Sequence, residues 1–222
     1  MAEIRSLDGL AEQKAAARLY RSVFGYVEPE WGLSPRLLAA LRENSGTAIG
    51  AFDEDGTLIG FCYGFTAVEA GEIYHYSQAA VVAPGAQGGG IGRRLKQAQA
   101  AVARDTGARS MRWTFDPYAL RNAHFNLMVL GATGIRFHPD FYDEPDTDRI
   151  VVSWDLTGAP PARTGMAESV VTPASDRIAA PDPADRSRLR WRLADHFGAG
   201  RRLVAVTRAG DAVTYAFENG EP

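Results

Sequence analysis

A glycine-rich turn between a strand-like run and a helical run constrains the fold of this chain more than any other feature. The apolar run ends at Val82, the helical pattern begins at Ile91, and five of the eight residues 85–92 are glycine. Glycine lets the backbone approach a ligand closely, and a helix N-terminus offers amide groups and a partial positive charge. Arg93 and Arg94 add cations in the first helical turn. The turn therefore predicts a site for a phosphate-bearing ligand.

Two common phosphate-binding loops do not fit this turn. The sequence lacks the Gly-Lys-Ser/Thr ending of the nucleoside triphosphatase loop. A dinucleotide-binding loop follows the first strand of a parallel βαβ unit, with an acidic residue about 20 positions further on. Asp105 could be that residue, but three strands of antiparallel pattern precede the turn. We therefore favour neither type of nucleotide site.

The periodicity along residues 1–157 predicts a mixed sheet covered by helices. The expected strands are 2–6, 47–52, 57–66, 72–82, 108–115, 132–137 and 149–156. The expected helices are 10–24, 37–42, 91–105 and 121–130. Hairpins and β-α-β crossovers occur together in this order, so the fold class is α/β, in the form of an α+β mixed sheet.

The composition changes at Thr157, where a Pro- and Gly-rich stretch begins. Residues 157–183 are predicted to be a linker without regular elements. A helix that begins near Asp182-Pro183 and a hairpin of strands 203–207 and 212–217 are expected after it. The chain would then have two domains, 1–157 and 158–222.

The predicted C-terminal helix carries a series of arginines that alternate with Leu189 and Trp191. Such a pattern would suit RNA, but three aspartates nearby dilute the charge and favour a solvated helix face. The arginines are Arg186, Arg188, Arg190 and Arg192.

Charge and composition argue against several classes of function. The net charge is −3, with 24 Lys and Arg against 27 Asp and Glu, which argues against DNA as a partner. Cys62 is the single cysteine, which excludes an intramolecular disulfide, and the four histidines lack the spacing of metal ligands. No apolar stretch reaches the length of a membrane helix, and no signal peptide is evident. We therefore expect a cytoplasmic protein without a metal or a membrane partner.

The pattern Gln87-x-x-Gly90-x-Gly92, after a strand that ends at Pro84, resembles the pyrophosphate loop of GCN5-related N-acetyltransferases (GNAT). The order of elements over residues 1–157 is similar to that fold. The runs 111–117, 121–127 and 130–132 resemble a bacterial branch with a C-terminal extension, and some relatives there are similar to N-succinyltransferases acting on amino acids.

The resemblance implies a fold, a co-substrate and a reaction. The fold would have a mostly antiparallel central sheet of about seven strands flanked by helices, with a C-terminal helix and hairpin added. The co-substrate would be acetyl-CoA or another acyl-CoA. The reaction would move an acetyl or succinyl group to the amine of a small molecule, such as an amino acid, by direct attack on the thioester.

The resemblance also implies which residues hold the acyl-CoA. The pantetheine arm would pair with the backbone of the fourth strand, the amides of the turn would hold the pyrophosphate, and Gln87 would cap the turn. The implied cofactor-binding residues are Ala80, Val81, Val82, Gln87, Gly88, Gly89, Gly90, Ile91, Gly92, Arg93, Arg94 and Asn122.

The positions that usually carry protons in this superfamily do not hold titratable groups here. Gln78 and Ala79 stand where an acidic base is common, and Leu127 stands where a tyrosine is the usual acid. A group that accepts or donates a proton in the reaction must therefore come from elsewhere in the chain.

Other side chains are candidates for these roles. We expect Tyr142, in a loop over the acceptor, to serve as the acid, and Asp116 or His124 to serve as a base through water. Arg112 or Arg136 could pair with a carboxylate of the substrate or with a succinyl group. The expected substrate-binding residues are Tyr76, Gln78, Arg112 and Thr114.

Strand alternation predicts the orientation of the candidates on the fourth strand. Side chains two residues apart point to the same face of a sheet. Tyr76 and Gln78 are therefore expected to share a face with Ala80 and Val82, and His75 is expected on the opposite face.

Two other functions stay open on the sequence. The absence of the usual acid and base suits a non-catalytic sensor that binds acyl-CoA. An acyltransferase that takes its donor group from an aminoacyl-tRNA would need a basic C-terminal face. The expected partner is a small-molecule amine, and the sequence leaves a homodimer open.

Overall fold

The computed structural model describes residues 2–158, 168–173 and 182–220. The chain divides into two compact units, Met1–Met111 and Arg112–Pro222. Within the described residues, no helix is both long and apolar enough to cross a bilayer.

The first unit is an antiparallel four-stranded sheet with helices packed on both faces. The strands lie side by side in chain order, each antiparallel to its neighbour. They are β1 (Glu3–Ser6), β2 (Thr47–Phe52), β3 (Leu58–Glu69) and β4 (Glu72–Val82). The helices are α1 (Gly9–Phe24), α2 (Pro35–Glu43) and α3 (Ile91–Asp105).

Each face of this sheet has its own apolar core because side chains alternate along the strands. On one face Leu7, Ala16, Leu38 and Phe61 are buried together, which places α1 and α2 on that side. On the other face Ile49, Ala51, Cys62, Ile91 and Leu95 are buried together, which places α3 there. The α3 face is the one that bears on function, because α3 begins at the glycine-rich turn.

A bulge in β4 changes which side chains share a face. Tyr63 of β3 pairs with Ala79, but the next residue, Gly64, pairs with Ser77, so Gln78 is an extra residue in β4. An extra residue reverses the alternation beyond it. The predicted grouping of Tyr76 and Gln78 with Ala80 and Val82 is therefore wrong. His75 and Ser77, before the bulge, share the α3 face with Ala80 and Val82 beyond it.

The described residues of the second unit contain six strands, the first of which begins two residues before the boundary of the unit. Their order in the sheet is β5-β7-β6-β9-β10-β8. They are β5 (Ser110–Phe115), β6 (Thr133–His138), β7 (Arg149–Asp155), β8 (Glu168–Pro173), β9 (Arg201–Ala209) and β10 (Ala212–Asn219). The helices are α4 (Leu120–His124), a π-helical turn at Phe125–Val129, and α5 (Pro183–Gly198).

Helix α5 is an integral part of the second unit. It begins as predicted, with Asp182 at the N-cap accepting a hydrogen bond from Ala184 N–H at 2.9 Å. Its apolar face buries Leu189 and Leu193. The His196 ring stacks on Phe217 of β10 with the two centroids 4.4 Å apart.

The α+β class and the mostly antiparallel pairing are confirmed, and two details differ from the prediction. Part of the predicted linker, residues 168–173, is strand β8, which pairs antiparallel with β10 from Ala212 to Phe217. The rest of that linker prediction, residues 159–167 and 174–181, lies outside the described residues. The described residues hold ten strands, where about seven and a two-stranded C-terminal hairpin were expected, and β8 is the strand that was not expected. The division into domains 1–157 and 158–222 stays a prediction.

The helix predicted over 121–130 is divided between α4 and the π-helical turn. Leu130 N–H donates to Phe125 O at 3.0 Å, which is the five-residue spacing of a π-helix. The turn brings the buried Asn126 side chain to β5, where its Oδ1 accepts a hydrogen bond from Trp113 Nε1 at 2.9 Å. A buried indole N–H requires such a partner, and helical periodicity does not reveal it.

Gly64 is the residue at which we expect the fold to be most sensitive to an added methyl group. A Cβ there would overlap the Tyr76 carbonyl oxygen and lie 2.7 Å from His75 Nε2. We expect Gly64→Ala to lower the free energy of unfolding by about 1–3 kcal/mol, the usual range for overpacking. Urea titration measures this. Gly198→Ala is the control, since its added Cβ meets nothing within 4 Å. Equal stability of the two variants would contradict the prediction.

Candidate active site

The glycine-rich turn forms a short, open connection between β4 and α3. One 3₁₀ turn, Pro84–Ala86, follows the strand. Gly88 and Gly90 then adopt left-handed backbone conformations with φ of 87° and 76°. Gly90 occupies the N-cap of α3, and its carbonyl accepts a hydrogen bond from Arg94 N–H at 3.0 Å. Other residues adopt these angles only at a cost, which explains the glycines.

The space around the turn is open on the side of its glycines. A Cβ built at Gly85, Gly88 or Gly90 would meet no atom within 4 Å. The first amides of a helix have no acceptor within the helix, and a glycine N-cap has no side chain to serve them. The turn therefore presents backbone amides to any anion that enters from outside.

Gln87 closes the turn against the end of β4. Its Nε2 donates to the Val82 carbonyl oxygen at 3.1 Å. Ala83 N–H donates to the carbonyl oxygen of Ile59 in β3, at 2.9 Å. Since backbone groups alternate in direction along an antiparallel strand, the polar groups of Val82 and Ala80 point away from β3. Gln87 thus contacts a carbonyl group of β4 that points away from β3.

The two arginines after the turn have different surroundings. Arg94 Nη2 donates to the Ala2 carbonyl oxygen at 2.7 Å, so this side chain ties α3 to the chain just before β1. Arg93 is exposed at the surface. Of the two predicted phosphate contacts, the geometry leaves Arg93 as the cation that faces solvent.

A buried polar network lies between β2, β4 and α3, and the sequence did not predict it. Lys96 Nζ donates to Ser77 Oγ at 2.7 Å, and Ser77 Oγ donates to Gln99 Oε1 at 2.6 Å. Gln99 Nε2 donates to Thr47 Oγ1 at 2.8 Å, and Thr47 Oγ1 lies 3.0 Å from His75 Nε2. The Thr47 hydroxyl thus joins Gln99 of α3 to His75 of β4.

Burial shifts the pKa values of two side chains in this network. Burial lowers the pKa of His75 to about 4, with the charge of Lys96 as a second cause. The His75 ring is therefore neutral at pH 7, and its buried Nδ1 has no hydrogen-bond partner among the described residues. Burial likewise lowers the pKa of Lys96 to about 7, and the nearby Cys62 acts in the opposite direction.

Cys62 is a core residue. Its side chain is fully buried, and burial raises the pKa of its thiol to about 12. Its Sγ lies 3.6 Å from the Leu95 carbonyl oxygen, to which it donates. A thiol in this state does not supply a thiolate nucleophile at neutral pH.

The sequence did not predict this network because the buried face of α3 was assigned incorrectly from its helical periodicity. The sequence places Ile91, Leu95, Ala98 and Val102 on the buried stripe of α3. In the structure Lys96 and Gln99 are also buried, and Val102 is exposed. The available signal was the pair of polar side chains three residues apart next to Leu95, opposite a histidine and a serine in a buried strand.

In the second unit, Asp116 stabilises the turn after β5. Its Oδ1 accepts a hydrogen bond from Tyr118 N–H at 2.8 Å, as a turn-forming aspartate does. His124, at the end of α4, and Asn122, in its middle, are exposed. The residue at the usual acid position, Leu127, is buried in the π-helical turn.

Tyr142 lies in the connection between β6 and β7. Its ring is 47% exposed, and no described residue hydrogen-bonds its hydroxyl. Its ring packs edge-on against Phe141, with the centroids 5.0 Å apart, and the Arg149 guanidinium lies 5.1 Å from its centroid. The phenol is therefore positioned by its ring while its oxygen stays accessible.

The arginine and threonine candidates lie on two strands of the second unit. Met111, Trp113 and Phe115 of β5 are buried, and Arg112 and Thr114 between them are half-buried, which confirms the predicted alternation. Arg136 of β6 is exposed. The described residues contain no group of three His, Cys, Asp or Glu side chains that could hold a metal ion.

A family model described as "Acetyltransferase (GNAT) family" matches residues 10–126. These residues include β4, the glycine-rich turn and α3. The chain belongs to the GNAT acetyltransferase family. The resemblance inferred from Gln87, Gly90 and Gly92 is thereby confirmed, and this GNAT protein is a transferase.

Solved structures with the same fold come from acetyltransferases of several kinds. YncA of Salmonella typhimurium, with its cofactor acetyl-CoA, has a TM-score of 0.57 and 19% identity, covering 73% of this chain and 99% of its own. The ribosomal-protein alanine N-acetyltransferase of Escherichia coli has a TM-score of 0.55 and 18% identity, covering 73% and 99%. An aminoglycoside 6′-acetyltransferase of type Ii has a TM-score of 0.55 and 18% identity, covering 71% and 99%. No curated protein matches the chain in sequence.

The buried histidine makes a measurable contribution to the pH dependence of stability. The pKa of His75 is about 4 in the folded protein and 6.5 in a model peptide, so the unfolded chain binds the proton first. Stability is thus highest above pH 6.5 and falls on acidification. We expect wild type to lose about 2 kcal/mol more than His75→Gln between pH 7 and pH 5. Urea titrations at both pH values measure the difference, and parallel losses in the two proteins would contradict it.

Proposed function

We propose that this GNAT protein transfers an acetyl or succinyl group from its CoA thioester to the amine of a small molecule, such as an amino acid. The observation that carries the proposal is the glycine-rich turn at the start of α3. The space beside its glycines is open, and Gln87 connects the turn to the Val82 carbonyl oxygen of β4. The family match to residues 10–126 supports it.

The donor would be held chiefly by backbone groups of the first unit. Its diphosphate would accept hydrogen bonds from the amides of residues 88–93, where the helix dipole favours negative charge. The exposed Arg93 would add a cation. The pantetheine arm would pair with the backbone groups of residues 80–82 that point away from β3, in the manner of an added strand. The acetyl-CoA of the Salmonella relative supports acetyl-CoA as one donor.

The chemistry would be a direct transfer. The neutral amine nitrogen attacks the thioester carbonyl carbon, the carbon–sulfur bond breaks, and the thiolate takes a proton as the nitrogen loses one. The oxyanion needs a donor near the carbonyl. Among the strand amides, that of Ala80 suits this role better than that of Val81, because strand alternation directs the Val81 amide to β3. The buried Cys62 argues against a covalent cysteine intermediate.

The proposed proton carriers are side chains that the sequence analysis named as candidates. We propose Tyr142 as the acid that protonates the departing thiolate, supported by its accessible hydroxyl. We propose His124 as the base through water. Its exposure favours it over Asp116, whose carboxylate is engaged by the Tyr118 amide. Arg112, Thr114, Tyr76 and Gln78 remain candidates for contact with the acceptor, as does Arg136.

A second candidate function is a non-catalytic acyl-CoA sensor. The exposed Gln78 at the usual base position and the buried Leu127 at the usual acid position favour it. An aminoacyl-tRNA donor has less support, because Arg186 and Arg190 of α5 pair with acidic residues of this chain.

The first prediction from the proposal concerns donor binding. Gly90→Ala would place a Cβ in the space open to the diphosphate and strain a backbone with φ of 76°. We expect the Kd for CoA, measured by calorimetry, to rise at least about tenfold, which is about 1.4 kcal/mol. Gly107→Ala is the matched control, since Gly107 has φ of 81° and the same open surroundings at the far end of α3. Equal affinities in both variants would refute a site at this turn.

The second prediction concerns turnover. Acetyl-CoA and succinyl-CoA are each mixed with a panel of amines, and free thiol and acylated product are followed by absorbance and mass spectrometry. We expect one acceptor class to be acylated, and Tyr142→Phe to lower kcat about 10²-fold, as loss of an acid does, with an unchanged Kd for CoA. Binding of CoA without turnover for any amine would favour the sensor. Full activity of Tyr142→Phe would remove Tyr142 from the mechanism.

A further inference from the structure

An ion pair connects α5 to the loop that carries Tyr142. We define the Tyr142 loop as residues 139–148, between β6 and β7. Arg190 Nη2 lies 2.6 Å from Asp140 Oδ2 and 3.5 Å from Asp148 Oδ1. Arg190 thus spans the first and last parts of the loop from a single helix position.

The Asp148 carboxylate is the buried centre of these contacts. Its side chain has no exposed surface. Tyr118 Oη donates to its Oδ2 at 2.5 Å, and Asp140 N–H donates to its Oδ1 at 3.0 Å. A buried carboxylate is costly unless it is paired and hydrogen-bonded, and Arg190 supplies the opposite charge.

A second arginine, one helical turn earlier, holds the middle of the same loop. Arg186 Nη2 donates to the Asp146 carbonyl oxygen at 2.8 Å and lies 3.2 Å from Asp146 Oδ1. Its guanidinium lies 4.5 Å from the centroid of the Tyr118 ring, within the range of a cation–π contact. Arg186 and Arg190 are four residues apart, so they share one face of α5.

Internal hydrogen bonds make the Tyr142 loop a single closed body. Phe141 N–H donates to the Thr147 carbonyl oxygen at 3.1 Å, and Tyr142 N–H donates to Thr147 Oγ1 at 3.2 Å. Asp140 Oδ1 accepts from Asp146 N–H at 3.1 Å. The contacts of α5 at 140, 146 and 148 therefore fix the backbone of Tyr142 between them.

We propose that α5 is a positioning element for the acyl transfer reaction, with Arg186 and Arg190 as the residues that hold the Tyr142 loop in its working geometry. The inference rests on the proposed function, in which Tyr142 is the acid. It assigns a role in acceptor turnover to a helix outside the matched residues 10–126. Small displacements of a proton donor lower rates strongly, which is how a remote ion pair affects kcat.

The test uses two variants of the ion pair and one control. Asp140→Asn removes the charge that Arg190 faces but keeps an acceptor for Asp146 N–H. Asparagine also tolerates the left-handed backbone at this position, where φ is 49°. Arg190→Ala removes the other partner, and Arg190→Lys restores the charge. Arg192→Ala is the control, since Arg192 is exposed on the same helix.

Hydrogen–deuterium exchange tests the positioning without reference to activity. We expect Asp140→Asn and Arg190→Ala to exchange at least about tenfold faster at the amides of Phe141 and Tyr142, with Arg190→Lys intermediate. We expect the amides of α3 and of β10 to be unchanged, which excludes unfolding of either unit, and Arg192→Ala to match wild type. Exchange at wild-type rates in both pair variants would overturn the proposal.

Kinetics on the acceptor identified for wild type tests the consequence for the reaction. We expect kcat to fall about 10- to 100-fold in both pair variants, with an unchanged Kd for CoA and partial recovery in Arg190→Lys. Faster loop exchange with full kcat, or a lower kcat with wild-type exchange, would each overturn the link between α5 and catalysis. A wild-type protein that acylates no amine would instead refute the proposed function, and the exchange result would still decide the positioning of the loop.

Discussion

The position of α3, and with it of the glycine-rich turn, depends on the buried hydrogen-bond chain from Lys96 to His75. This hydrogen-bond chain crosses from α3 to β4 and on to β2, so it sets how the helix that begins at the glycine turn lies on the strand that ends there. Hydrogen bonds are directional, so a chain of them limits the position of the helix on the strand more narrowly than apolar contacts alone do. The network also requires space, and the absence of a side chain at Gly64 provides it. Burial lowers the pKa of both Lys96 and His75, which favours the neutral forms of these groups in the core.

The parts of the fold that sequence predicted well are those decided by local signals. The bounds of β2, β4 and α3 match the expectation because apolar alternation, Pro84 and the glycines act within a few residues. The bulge at Gln78 was missed because it is a property of the pairing with β3, and a single strand carries no trace of it. Strand β8 was missed for the same reason: its proline- and glycine-rich surroundings indicate a linker, and the pairing with β10 that makes it a strand comes from about 40 residues away.

In the candidate site, too, the residues that local signals indicate could be predicted, and those that depend on distant parts of the chain could not. The glycine turn could be predicted because phosphate recognition by backbone amides needs only the right local chain geometry, which glycine spacing encodes. The proton-carrying groups could not be fixed, because their usual positions hold Gln78 and Leu127 and any replacement must be supplied by a distant element. Only the structure shows that the Asp116 carboxylate is engaged in a turn while the Tyr142 hydroxyl is accessible.

The arginines of α5 are a further case in which contacts with distant residues could not be predicted from the sequence. Sequence predicted a solvated face, and for Arg188 and Arg192 that holds, but Arg186 and Arg190 face acidic partners 40 and 50 residues earlier in the chain.

Arg186 and Arg190 also give the C-terminal segment a structural role, because they pair with the acidic Tyr142 loop. The Tyr142 loop contains four aspartates and one glutamate, and one of its carboxylates, Asp148, is fully enclosed. A loop of this composition repels itself, and a buried carboxylate without a cation costs several kcal/mol. In the described part of the chain, Arg190 of α5 forms an ion pair with the Asp148 carboxylate, with Nη2 3.5 Å from Oδ1. The hydrogen bond from Tyr118 satisfies one oxygen of Asp148 but brings no charge, so it cannot replace Arg190. The geometry of the Tyr142 loop therefore depends on the positive charges of α5, and the C-terminal helix is needed to stabilise this loop.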